Sequence, residues 1–202
     1  MSELVSADDL EGQAYREAGH VLMAYLITQA SIADHFFALP IQPGDRHLLV
    51  PEFDLISLDG DLSRLARPSF SLRSLITMPL FLLGGIAAAR IRRGTLREVP
   101  LPESPAVSRA MGMLASYFEE FDATEPQGTA GRIVMATKDF YQFAEQELRH
   151  QWPALEALAL RLQQEGSLSK DEAFALFNSR IPEENRKPSS RIAGGKGAEA
   201  SA

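Results

Sequence analysis

The chain has 202 residues, 45% of them hydrophobic and 23% charged, proportions of a globular protein with one sizeable core or two small ones. Its net charge of −7 runs against nucleic-acid binding, which needs a basic face. The absence of cysteine excludes a disulfide framework and thiolate metal sites. It also suits a reducing compartment, and cytoplasmic is the expected location.

The N-terminus, MSELVSADDLEGQ, is acidic and has no apolar core, so it does not read as a secretory signal. A first helix is expected from near Ser6, where Ser6 and Asp9 have capping-box spacing. Leu10, Ala14, Ala18, Val21, Leu22 and Tyr25 recur at helical spacing as an apolar stripe. Gln13, Arg16, Glu17 and His20 fall on another face. They read either as a polar site on a buried helix or as a solvated face with an i,i+4 pair. Residues 30–62 contain two short apolar runs, HFFALPIQ and HLLVPEFDLISL, separated by Pro43-Gly44-Asp45. This predicts a short hairpin or edge strands between the first and second helices.

A second helix is expected over about Ser71 to Arg93. Pro79 should kink or split it, and Gly94 should cap its end. Its core, Leu75 to Ala89, is the most apolar run of the chain but falls short of the about 20 residues of a membrane span, so it reads as a buried core helix. Gly84 and Gly85 inside it cost about 1 kcal/mol each relative to alanine. Such a pair implies that another backbone packs closely there. Ser104 and Pro105 open a third helix as N-cap and first residue. After a linker, ATEPQGTAG, a fourth helix runs from Arg132 until Pro153 stops it. A fifth then runs from Pro153 to Gly166. The last is SLSKDEAFALFNSRI, with Ser169 and Glu172 as a capping box. From about Pro182 the chain is polar, Gly/Ser/Ala-rich and without periodicity. The expected organisation is one domain over 1–181 and a disordered tail over 182–202.

The stretch Arg16-Glu17-Ala18-Gly19-His20 is one residue away from the zinc-peptidase signature H-E-x-x-H. In that signature two histidines one turn apart ligate the same ion, and the glutamate between them serves as general base to the metal-bound water. The wider stretch AYREAGHVLMAYLI resembles the helix A-x-H-E-A-G-H-A-L-V-A of FtsH-type peptidases, the zinc peptidase domains fused to AAA+ ATPases. A second block of that family, L-G-G-R-A-A-E-E-L-x-x-G, is matched in spacing by Leu83-Gly84-Gly85 through Arg90 to Gly94. The helix opened by Pro105 is looser in its likeness to the family's D-L-x-x-A. The closing segment GSLSKDEAFALF resembles the family's last element. The resemblance covers about residues 8 to 180, and it implies a mainly α, zincin-like helical domain with a small β element.

The departures shape what the resemblance implies. The general-base position is Glu17 and the second ligand position is His20. Arg16 stands at the first ligand position, and anchoring on Val107 and Ala110 puts Ala106 at the third. A lone imidazole does not hold catalytic zinc, and an adjacent guanidinium repels a cation. No G-x-x-x-x-G-K-[ST] loop is present to cradle phosphate. The implied protein is a pseudopeptidase without cofactor, with Glu17 vestigial, that binds or scaffolds a protein or peptide. An FtsH-type protease or a second copy of the chain is among the implied partners, since the family's domains form hexameric rings. The alternative is an active zinc-dependent metallopeptidase with rearranged ligands. His35, His47, Glu52, Asp54 and Glu103 are available as substitutes, although their spacing does not spell zinc. Arg16 either replaces the metal's charge by pairing with Glu17 or another acid, or points to water.

Overall fold

A computed structural model describes residues 7–28, 50–66, 72–94, 104–121 and 129–186. Among these, six α-helices and two short strands make the fold mainly α with a small antiparallel sheet. The helices are α1 (Ala7–Thr28), α2 (Leu72–Arg92), α3 (Pro105–Phe121), α4 (Thr129–His150), α5 (Trp152–Glu165) and α6 (Lys170–Arg180). The strands are β1 (Leu55–Ser57) and β2 (Ser167–Ser169), and 3-10 turns occupy Leu62–Leu65 and Glu183–Arg186.

The centre of the bundle is α2, which packs against α1, α3 and α4; α5 covers a further side of α1. The apolar run expected to be a core helix is one: Leu80, Phe81, Leu82 and Leu83 are fully buried. The span Ser74–Arg92 is long and apolar enough to cross a membrane, and 89% of its most apolar window lies inside the fold. Pro79 sits within α2 without ending it. The helix closes at Gly94, whose φ of 65° is one that L side chains rarely adopt. Along α1 the predicted stripe is buried from Ala14 to Tyr25, while Leu10, near the helix start, is 38% exposed.

Glycine decides how closely α1 and α2 approach. A Cβ on Gly19 would lie 2.6 Å from the Gly84 carbonyl oxygen and 2.6 Å from the Ala88 Cβ. A Cβ on Gly84 would meet the Met23 side chain at 2.3 Å. The close backbone approach expected from the glycine pair is therefore present, and its partner is the helix that carries Glu17 and His20.

The small sheet differs from the expected local hairpin. Strand β1 pairs with β2, from the other end of the domain, in the register Leu55↔Ser169, Ile56↔Leu168 and Ser57↔Ser167. Two bonds extend the pairing, Leu58 N–H to the Gly166 carbonyl (3.0 Å) and Lys170 N–H to the Asp54 carbonyl (2.8 Å). The first predicted strand run and the Pro43-Gly44-Asp45 turn lie outside the described residues, as does the Ser6 cap.

Helix starts follow their predicted caps. Ser104 Oγ accepts from Val107 N–H at 3.2 Å. Ser169 and Glu172 form a reciprocal capping box that turns β2 into α6. Gly166 ends α5 at a φ of 76°. Helix α4 begins at Thr129, inside the stretch expected to be linker. Residues 183–186, read as the start of a tail, form a 3-10 turn, and the Gln151 amide donates to the Asn185 carbonyl at 2.8 Å. Residues 187–202 lie outside the described residues.

Candidate functional site

The polar face of α1 is buried rather than solvated. Glu17 is 0% exposed and His20 1%. The α1 backbone holds them one turn apart, and the segment 60–65 lies over Gln13 and Glu17. Gln13 donates to the Gly60 carbonyl (2.8 Å) and to Glu17 Oε1 (2.8 Å). Glu17 Oε2 accepts the backbone N–H of Leu62 at 3.0 Å, at the opening of the 3-10 turn. Asp61 caps the same turn, its Oδ1 accepting from the Ser63 N–H (3.1 Å) and the Ser63 hydroxyl (2.6 Å). Arg109 of α3 holds the turn from its other side, donating to the Ser63 carbonyl at 2.5 Å. The carboxylate at the general-base position thus serves as an acceptor that pins this segment to α1.

Arg16 follows both sequence expectations in part. Its side chain is 41% exposed, yet its Nε lies 3.5 Å from Glu17 Oε1 and its Nη2 donates to Gln13 Oε1. It therefore supplies a positive charge beside Glu17 while its outer part meets water. Burial pushes the Glu17 carboxyl up to about 7; the Leu62 N–H and Arg16 oppose the rise, and Asp61 adds to it. At Asp61 burial also acts upward, but the Ser63 hydroxyl and Arg16 outweigh it and hold that carboxyl below its usual value.

His20 is a helix–helix contact as much as a site residue. Its Nδ1 is 2.8 Å from the Phe81 carbonyl oxygen, and its ring stacks on the Phe81 ring at 4.9 Å. A carbonyl only accepts, so Nδ1 carries the proton and Nε2 presents a lone pair. Burial first, and Arg16 next among the lowering causes, depress the imidazole to about 4, against the opposing Phe81 bond, so it is neutral at pH 7. Nε2 is buried without a hydrogen-bond partner and faces Gly85, where a Cβ would intrude to 2.3 Å. Gly85 therefore leaves room for the imidazole, as Gly84 leaves room for Met23.

The resemblance implies zinc, and the residues test that implication. An orphaned Nε2 whose ring is fixed through Nδ1–H to a carbonyl suits a ligating histidine. The rest of the donor set does not fit. Both Glu17 oxygens are engaged, and Arg16 brings a cation to within 3.5 Å of one of them. Ala106 offers only a methyl group, packed against the core. Among the described residues, no three His, Cys, Asp or Glu side chains form a group that could hold a metal. Of the substitute ligands, Glu52 and Asp54 are exposed on the β1 approach, and His35, His47 and Glu103 lie outside the described residues. Among the described residues, the side chains around Glu17 and His20 therefore do not make up a zinc-ligand set.

Sequence reasoning missed the covering segment. Gly60, Asp61 and Leu62 complete the face through two backbone groups and a cap. The signal was the Asp-Leu-Ser triplet, whose aspartate is a typical cap for a following turn. What fold and site define is a mainly helical domain with a glycine-packed helix pair, and a buried polar face closed by the chain's own backbone. No family model matches the chain, and no curated protein matches it.

Proposed function

We propose that the chain is a degenerate, zincin-like FtsH-type peptidase domain, catalytically inactive, that acts as a binding or scaffolding module. The supporting observation is the state of Glu17. Its two oxygens accept from Leu62 N–H and Gln13 and one sits beside the Arg16 guanidinium, so the carboxyl ties α1 to the covering segment, with a fixed cation standing at the first ligand position. The two motifs that suggested the ancestry also lie against each other, Gly19 on Gly84 and His20 on Gly85. The proposed occupant of the module is a protein or peptide, with an FtsH-type protease subunit or a second copy of the chain as the specific candidates.

Elemental analysis of the purified protein tests the inactive reading. The expected result is zinc far below one equivalent and no chelator-sensitive cleavage of an unfolded substrate; one equivalent of zinc lost with His20→Ala would overturn it. The double substitution Arg16→His with Ala106→Asp restores the family's ligand types at both lost positions. On the degenerate-domain reading it raises zinc affinity above that of the wild type.

The second reading, a metallopeptidase with rearranged ligands, is favoured by one observation, the buried Nε2 of His20 without a partner. Cleavage abolished by chelation and restored by added zinc would establish it.

A further inference from the structure

On α1, Glu11 and Tyr15 project away from Gln13, Arg16, Glu17 and His20, because a 3.6-residue period puts the two sets on opposite sides. An open cavity of about 680 Å³ lies there, between α1, the C-terminal ends of α2 and α4, and the first three turns of α5. Its wall is a stack: the Tyr15 and Trp152 rings lie 5.6 Å apart at 14°, and the Arg92 guanidinium sits 5.4 Å from the Tyr15 ring centroid. Arg92 also pairs with Glu11, so those two charges neutralise each other within the wall.

Two poles remain. Arg149 commits Nε (3.1 Å) and Nη2 (2.7 Å) to one oxygen of the largely buried Glu145, which fixes its guanidinium and leaves Nη1 uncommitted. Glu156 is exposed, and its one hydrogen bond, from the Tyr15 hydroxyl, is long at 3.5 Å. Between them lie Trp152, Ile91 and Leu160, the last 47% exposed. A simple anion would suffer from Glu156, a simple cation would leave the uncommitted Nη1 of Arg149 unused, and an uncharged apolar molecule would desolvate both. A zwitterion with an apolar body satisfies all three features.

We infer that this cavity is a binding site for a short peptide with free termini: its carboxylate on Arg149, its ammonium on Glu156 and a bulky apolar side chain against Trp152 and Leu160. The volume lies within the usual range of small-ligand pockets and accommodates roughly two or three residues. The inference does not depend on the peptidase-like reading, because it uses no residue of the Glu17 face.

Trp152 is the one tryptophan of the chain, so its fluorescence reports on this cavity alone. The probe is the dipeptide Phe-Leu, compared with its N-acetyl and C-terminal amide forms. The expected result is a saturable fluorescence change with half-saturation below about 1 mM, weakened about tenfold by blocking either terminus, the size of a lost charged contact. Arg149→Ala should weaken the free dipeptide about tenfold and leave the amide unaffected, because the amide has already lost that contact. Glu156→Gln, at an exposed position where the amide oxygen can still accept the long bond from Tyr15, should do the same for the acetylated form. No saturable change, equal binding of free and blocked dipeptides, or equal weakening of both forms by each variant would overturn the assignment.

Discussion

The two faces of α1 dispose of their polar groups in opposite ways. On one, Gln13, Arg16, Glu17 and His20 turn inward, and the chain satisfies most of them itself with Gly60, Leu62 and Phe81. On the other, Glu11 and Tyr15 join Arg92, Trp152 and Glu156 around an open cavity. One helix thus carries a closed face with the Arg16-Glu17-x-x-His20 pattern and an open face without it. Residue type alone does not reveal which face is available to a ligand. The closed face holds the more reactive residue types, yet apart from His20 Nε2 its acceptors bond within the chain. The open face is built from ordinary surface residues, and Arg149 and Glu156 keep hydrogen-bonding capacity toward the cavity.

The largest expected effect lies on the closed face and concerns pH. Glu17 has a folded-state value of about 7 against an ordinary 4.5, so it favours the folded state most below 4.5 and loses that contribution as pH rises to 7. His20 is the mirror image. With about 4 when folded against 6.5, its contribution is complete above 6.5 and is lost as pH falls to 4. At about 1.4 kcal/mol per pH unit, each is worth roughly 3 kcal/mol, and over their shared window the two slopes cancel. Denaturant unfolding at about pH 4.5 and 6.5 should therefore show little change from this pair in the wild type. Glu17→Gln should make stability rise with pH across that window, and His20→Gln should make it fall. Variants that both track the wild-type profile would show that neither group is buried as described, and the closed face would be closed no longer.

Next in size is the floor of that face. Gly19→Ala places a methyl group 2.6 Å from the Gly84 carbonyl, a backbone atom that has no rotamer by which to move aside. We expect a loss of about 1–3 kcal/mol from overpacking, even though alanine in a helix is worth about 1 kcal/mol over glycine. Gly131→Ala sharpens the comparison. It lies in α4 with nothing within 4 Å of the added Cβ, so propensity acts alone and a gain of about 0.5–1 kcal/mol follows. Equal effects of the two substitutions in chemical denaturation would remove the close approach of α1 and α2.

How far these features were legible in the sequence depends on how local they are. The face of α1, the glycine pair, the Ser104 and Ser169 caps and the ends at Gly94 and Gly166 are encoded within a turn or two of chain, and each stands where period and capping chemistry placed it. The pairing of β1 with β2 was not legible. Three-residue strands carry almost no alternation, and the partner of Leu55 is Ser169, far along the chain. The closure of the Glu17 face escaped for a related reason. It runs through the Gly60 carbonyl and the Leu62 N–H, groups that every residue type has. The open cavity was invisible because four separate helices supply its walls.

The smallest effect is expected on the open face, from Arg92→Ala. Arg92 reaches Glu11 from an exposed position, and both side chains keep contact with water, at 45% and 36% exposure. Such pairs are screened by the solvent and give up side-chain entropy for their geometry. Removing the guanidinium leaves Glu11 hydrated and leaves Tyr15 stacked on Trp152, with the Tyr15 ring at 2% exposure still anchored in the core. The thermal midpoint should therefore match the wild type within the scatter of repeat melts. A fall as large as that of Gly19→Ala would mean that the Arg92–Tyr15–Trp152 stack is a structural joint between α2, α1 and α5. The cavity beside it would then be a by-product of packing, and the contrast between a closed structural face and an open binding face would collapse.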